Sequence, residues 1–143
     1  MINFEPCSGV VVLCRMGQSK EIEKKTLLII DDEEDIRSLS RNIIERSFDF
    51  LNVFDAYSLN DARRLVNDVI PDFVLLDLHL SDGLGFDIIP ELLGLNPEVK
   101  ILVVTAYNQS QEQNNTRRLG AFGLLGKPFV AADLVKCINE MMK

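Results

Sequence analysis

The run Leu27-Leu28-Ile29-Ile30 ends on Asp31-Asp32, and the run Phe73-Val74-Leu75-Leu76 ends on Asp77. Four successive apolar residues closed by a charge read as a strand covered on both faces, because a strand with one wet face would alternate. The form recurs further out, where Ile101-Leu102-Val103-Val104 meets Thr105, and Leu124-Leu125-Gly126 meets Lys127. Residues 51–56 add a shorter candidate strand. Between these runs the apolar period lengthens to that of a helix. Ile36, Leu39, Ile43 and Ile44 recur within 35–48, and Ala62, Leu65, Val66 and Val69 within 60–69. Further helices are predicted near 86–93, over 109–119 and over 131–142. Pro71, Asn96-Pro97 and Gly120 supply the stops and turns. Five strands alternating with five helices give an α/β domain with a parallel sheet between two helical layers.

The 143 residues suit one domain, with no room for a second. With 47% hydrophobic and 26% charged residues, the chain has the mix of a folded globular protein rather than a disordered one. A net charge of -7 offers no basic stripe, so nucleic-acid binding by this domain is not expected. No apolar run approaches the roughly 18 residues of a membrane span. Residues 1–24 read as an extension outside the chemistry, and 25–143 as the domain. The patch Val10-Val11-Val12-Leu13 is too short for a secretory core and lacks preceding Lys or Arg. Cys7, Cys14 and Cys137 pair at no metal-like spacing and fit a reducing, cytoplasmic setting. Cys137, in register with Leu134 and Met141, reads as a small buried thiol.

In a parallel sheet all the strand ends named above are carboxyl ends, the edge where such folds take ligands. One acidic strand end is ordinary helix capping. Three carboxylates, a hydroxyl and a lysine converging on one edge point to a site instead. Clustered carboxylates call for a cation, and all-oxygen donors favour Mg²⁺, which bridges carboxylates to phosphoryl groups. A carboxylate beside Mg²⁺ can itself be a nucleophile, giving an aspartyl phosphate. Thr105 and Lys127 then stabilise charge on the phosphoryl oxygens. No nucleophile triad or phosphate-binding glycine loop competes.

The stretches Ile29-Ile30-Asp31-Asp32-Glu33-Glu34-Asp35-Ile36-Arg37, Pro71-Asp72-Phe73-Val74-Leu75-Leu76-Asp77-Leu78, Thr105-Ala106, Gly120-Ala121 and Lys127-Pro128-Phe129 come in that order. Together they resemble the receiver domain of bacterial two-component response regulators, over about residues 25–143. The resemblance implies a flavodoxin-like, doubly wound five-stranded sheet in the order 2-1-3-4-5 with five helices. It implies that Asp77 is the phosphoacceptor and also a metal ligand. Asp32 would bind Mg²⁺ directly, Asp31 mostly through water, and His79 through its backbone carbonyl. Thr105 would bond the phosphoryl group and Lys127 pair with it, with a cis Lys127-Pro128 bond. The donor would be a phosphohistidine on a sensor histidine kinase or histidine phosphotransfer protein. The domain would phosphorylate and dephosphorylate itself without being a turnover enzyme, as a monomer or a weak phosphorylation-dependent dimer. The surface of helix 4, strand 5 and helix 5 would change.

Two positions depart from the family pattern. Ser81 stands where proline is usual, and Leu124 stands at the aromatic switch position, where it reads as a packed strand residue. Two other readings stay open: a phosphorylation-independent pseudo-receiver, and a phosphatase with an Asp nucleophile. The latter needs an acid two residues past the nucleophile, where this chain has His79. The His79 side chain reads as an exposed group at the mouth rather than a metal ligand, and Tyr107 as lining the mouth or covering loop surface. The segment 109–119 has one large apolar residue, Leu119, so its helix is expected to dock weakly and to carry the signal in place of an aromatic ring.

Overall fold

The apolar runs become five strands of one parallel sheet: β1 (Lys25–Ile30), β2 (Leu51–Ala56), β3 (Phe73–Leu76), β4 (Lys100–Thr105) and β5 (Gly123–Gly126). Their spatial order is β2-β1-β3-β4-β5, the doubly wound arrangement implied by the resemblance. The computed structural model describes residues 14–15, 17–18, 24–106 and 110–143. Val10–Val12, Leu13, Cys7, Met16 and Tyr107 lie outside the described residues. Cys14–Arg15 and Gly17–Gln18 pair antiparallel with each other.

Alternate residues of each strand serve opposite faces. Leu28, Ile30, Val74, Leu76, Ile101 and Val103 pack with one set of helices, and Leu27, Ile29, Phe73, Leu75, Leu102 and Val104 with the other. That explains the unbroken apolar runs, since both faces are buried. The first face is covered by α2 (Leu59–Leu65) and α3 (Ile89–Leu95), through Leu59, Ala62, Ile89 and Leu92. The second is covered by α1 (Glu34–Ser47) and α5 (Ala131–Met141), through Ile44, Leu134, Ile138 and Met141. The fourth helix, α4, spans Ser110–Arg118. No described helix is long and apolar enough to cross a membrane.

Several details differ from the sequence reading. Leu39 is exposed, because the inward stripe of α1 runs through Ser40 and Ile44, one helical turn apart. The third helix begins as a 3-10 turn, Gly85–Ile88, before Pro90 opens the α-helical part. Cys137 is half-buried rather than buried, and burial, together with Asp133 nearby, raises its thiol pKa.

The register decides where the site falls. Ile30 pairs with Leu76, Leu76 with Val103, and Val103 with Leu124. The ladder runs one step past the strands, for Asp77 N–H donates to the Ile30 carbonyl at 2.9 Å and Lys127 N–H to the Thr105 carbonyl at 2.8 Å. The residues after these strands are therefore level with one another along one edge.

Candidate functional site

Two carboxylates at that edge are held by the backbone N–H two residues further on. Asp31 follows β1, and its Oδ1 accepts the Glu33 N–H at 2.9 Å. Its carbonyl accepts from Arg37 Nη1 at 2.8 Å, which fixes the first turn of α1 beneath the carboxylate. Asp77 follows β3, and its Oδ1 accepts the His79 N–H at 3.3 Å. The other oxygen of each carboxylate faces Lys127, whose Nζ lies 2.8 Å from Asp31 Oδ2 and 3.4 Å from Asp77 Oδ2. The Lys127-Pro128 bond is cis, as the resemblance implied.

The carboxylate oxygens of Asp31, Asp32 and Asp77 lie within 4.8 Å of one another. Asp31 and Asp77 are buried, whereas Asp32 faces solvent. Glu33 adds a fourth carboxylate, with Oε1 3.4 Å from Lys127 Nζ. Three of these four carboxylates, Asp31, Glu33 and Asp77, pair with one ammonium, and the cluster carries an excess of negative charge in a half-buried place. Burial pushes the Asp77 carboxyl above its usual range, and nearby Asp31 adds to the shift, while Lys127 and the His79 N–H oppose it. Burial alone would lower the Lys127 pKa, but its hydrogen bond to Asp31 and the surrounding carboxylates raise it overall. Lys127 is therefore a fixed cation. The arrangement offers hard oxygen donors to a small divalent cation and an ammonium to an anion beside it.

Asp32, Glu33, Asp77, His79, Thr105, Ala106 and Lys127 line an open cleft of about 370 Å³. Thr105 is fully buried at the end of β4, so it forms part of the inner wall. Leu124 sits elsewhere, in β5 opposite Val103, half-buried against the core cluster beside α2 and α3. It borders a hollow formed with Gln113, Thr116 and Arg117 of α4, and not the acidic cleft. Phe122 belongs to the preceding turn and is exposed, with Lys100 Nζ 5.8 Å from its ring centroid.

The loop after Asp77 is more ordered than its glycines suggest. His79–Leu80 pairs antiparallel with Gly83–Leu84, so the chain folds straight back on itself. Gly83 takes φ 151°, a region that disfavours side chains. Asp82 accepts the Leu59 and Asn60 N–H groups, each at 2.9 Å, and ties the loop to the start of α2. Those bonds hold its carboxyl below the usual range. Ser58 completes the cap by accepting the Asp61 N–H at 3.0 Å. Neither Asp82 nor Glu33 stood out from the sequence as a site residue. The third acid of Asp31-Asp32-Glu33 was the available signal for Glu33.

The sequence profile described as the response regulator receiver domain matches residues 27–139. The chain is 32% identical over 117 residues to the acid tolerance regulatory protein ActR of Rhizobium meliloti (strain 1021), covering 81% of this chain and 59% of that protein. It is 27% identical over 119 residues to the chemotaxis protein CheY of Thermotoga maritima, covering 83% and 98% respectively. Thus it spans less than two thirds of ActR but nearly all of CheY. Among solved structures it superposes on the signal receiver domain of a DNA-binding response regulator from Colwellia psychrerythraea 34H. There the TM-score is 0.77 at 26% identity, over 83% of this chain and 98% of that one.

Proposed function

The chain belongs to the response regulator receiver family, and from that premise we propose that Asp77 accepts a phosphoryl group from a phosphohistidine with Mg²⁺ bound beside it. The observation that carries this reading is the meeting of Asp31, Asp32 and Asp77 oxygens within 4.8 Å, with Lys127 Nζ 3.4 Å from Asp77 Oδ2. The donor set fits Mg²⁺, being all oxygen, anionic and open to water on the Asp32 side. Asp32 would hold the metal directly and Asp31 mostly through water, and Asp77 and the His79 carbonyl would complete the protein donors. When bound, the metal neutralises the charge that gathers between these carboxylates and the phosphoryl oxygens.

In the transfer, a carboxylate oxygen of Asp77 bonds to phosphorus as the N–P bond of the donor breaks. The bonding pair leaves with the donor imidazole. Lys127 meets a phosphoryl oxygen, and the Thr105 hydroxyl bonds another from the inner wall. Burial that disfavours a charged Asp77 also makes its carboxylate less solvated and readier to share an electron pair. The donor is a sensor histidine kinase or histidine phosphotransfer protein in the cytoplasm, met by a monomer or weak phosphorylation-dependent dimer. The readout is a change in the α4, β5 and α5 surface, with Leu124 unable to turn a ring inward.

Beryllium fluoride, which mimics a phosphoryl group on a carboxylate, tests the reading. Binding that needs Mg²⁺ and is abolished by Asp77→Asn is expected. Absence of binding in the wild type would favour the phosphorylation-independent module instead. Multiple turnover on a phosphate ester would favour a phosphatase.

A further inference from the structure

Glu112 lies on α4, a helix whose sequence is polar throughout, yet its side chain is turned inward and is only 21% exposed. Its Oε2 lies 3.5 Å from Nε2 of His79. Its Oε1 is buried and has no hydrogen-bond partner. A carboxylate on such a helix gains most by turning to water, and withholding one oxygen from solvent without a partner costs free energy. The inward pose therefore needs a reason, and His79 is the polar group it faces. His79 lines two hollows at once. One is the Asp77 cleft, and the other is a hollow of about 290 Å³ whose lining includes Leu78, Phe86, Glu112 and Asn115. His79 thus stands between the acceptor site and α4, with its Nε2 toward Glu112.

We propose that Glu112 is a positioning residue that holds the His79 imidazole at the mouth of the Asp77 cleft and so lengthens the life of the aspartyl phosphate. This rests on the phosphoacceptor reading above. Loss of the phosphoryl group requires a water oxygen to bond to phosphorus while the P–O bond to Asp77 breaks. The water gives up its proton to solvent, inorganic phosphate leaves, and the Asp77 carboxylate is restored. His79 lines the cleft by which that water enters. Tied to Glu112 it keeps one orientation. Released, it spreads over about three χ1 wells and covers the mouth for about a third of the time. The contact also joins α4 to the acceptor loop, so the helix's position and the mouth's cover change together.

The test is hydrolysis of the phosphoprotein made with acetyl phosphate, after the donor is removed. Glu112→Ala should lose phosphate about threefold faster than the wild type, while Glu112→Gln, which keeps an oxygen for the ring, should retain the slow rate. His79→Ala should be fast as well, and the double variant no faster than His79→Ala alone. A wild-type rate in Glu112→Ala, or additive effects in the double variant, would overturn the proposal. A second measurement needs no phosphorylation. Because the chain has a single histidine, its ring protons are unambiguous by NMR. Cross-relaxation between those protons and the Glu112 side chain should be present in the wild type and in Glu112→Gln. Its absence from the wild type would sink the contact, whereas failure of acetyl phosphate to label Asp77 would sink the phosphoacceptor reading.

Discussion

Gly85→Ala should damage both the stability and the site of this domain. A Cβ at Gly85 would be forced against the Asp77 carbonyl oxygen, and it would lie 3.1 Å from the Leu78 Cα and 3.2 Å from the Asp77 carbonyl carbon. All three neighbours are backbone, so no flexible side chain can yield, and the loop itself must shift. Overpacking of that kind costs about 1–3 kcal/mol. The shift also stretches the Gly85 N–H bond to the Leu78 carbonyl, now 2.7 Å, a loss of about 1 kcal/mol. Reduced freedom of the unfolded chain returns roughly 0.4–1 kcal/mol. The net loss is about 1–3.5 kcal/mol, read as a lower urea midpoint at unchanged slope. Gly94→Ala is the control, since nothing lies within 4 Å of its added Cβ and it sits in α3. That variant should be stabilised by about 0.5–1 kcal/mol. Because the displaced atoms are the backbone of the acceptor residue and its neighbour, Gly85→Ala should also slow acetyl phosphate labelling. Equal midpoints for Gly85→Ala and the wild type would refute the packing argument.

Three further outcomes follow from the charges. The folded Asp77 carboxyl has a raised pKa, led by burial, so its ionisation costs stability above the folded pKa and nothing below the unfolded one, near 3.9. Asp77→Asn should therefore be more stable than the wild type at pH 7, with the advantage shrinking as the pH falls toward 4; urea melts at both pH values check this. Lys127→Met leaves the buried Asp31 and Asp77 without their shared cation, a loss on the order of 3 kcal/mol. Part of that loss should return on adding Mg²⁺, seen by thermal melts with and without EDTA. Cys137, raised by burial, should react with iodoacetamide more slowly in the folded protein than after unfolding, measured with Cys7 and Cys14 replaced by serine.

The three central strands were legible because they are buried on both faces, which leaves an unbroken run such as Leu27–Ile30 with few other meanings. The site was legible for the same reason. A charge placed directly after such a run must emerge at the sheet edge, and five residues did so at once. What was not legible depends on contacts distant in sequence. Nothing local marks Asp82 as the acceptor for the Leu59 and Asn60 N–H groups. Nothing local says that Glu112 turns toward His79 rather than to water. The polarity of α4 was plain, but the reason it docks was not. Its inward positions Glu112, Asn115 and Thr116 are polar, with the Thr116 hydroxyl donating back to the Glu112 carbonyl at 2.7 Å. Leu39 misled because apolar character was counted without its angular place on the helix.

The most direct test of the account is intact-mass and peptide analysis of the protein after incubation with acetyl phosphate. With Mg²⁺ present, one phosphoryl group on Asp77 is predicted, with none in EDTA and none in Asp77→Asn. Labelling that survives the Asp77→Asn change, or a wild type that stays unlabelled with Mg²⁺, would contradict it.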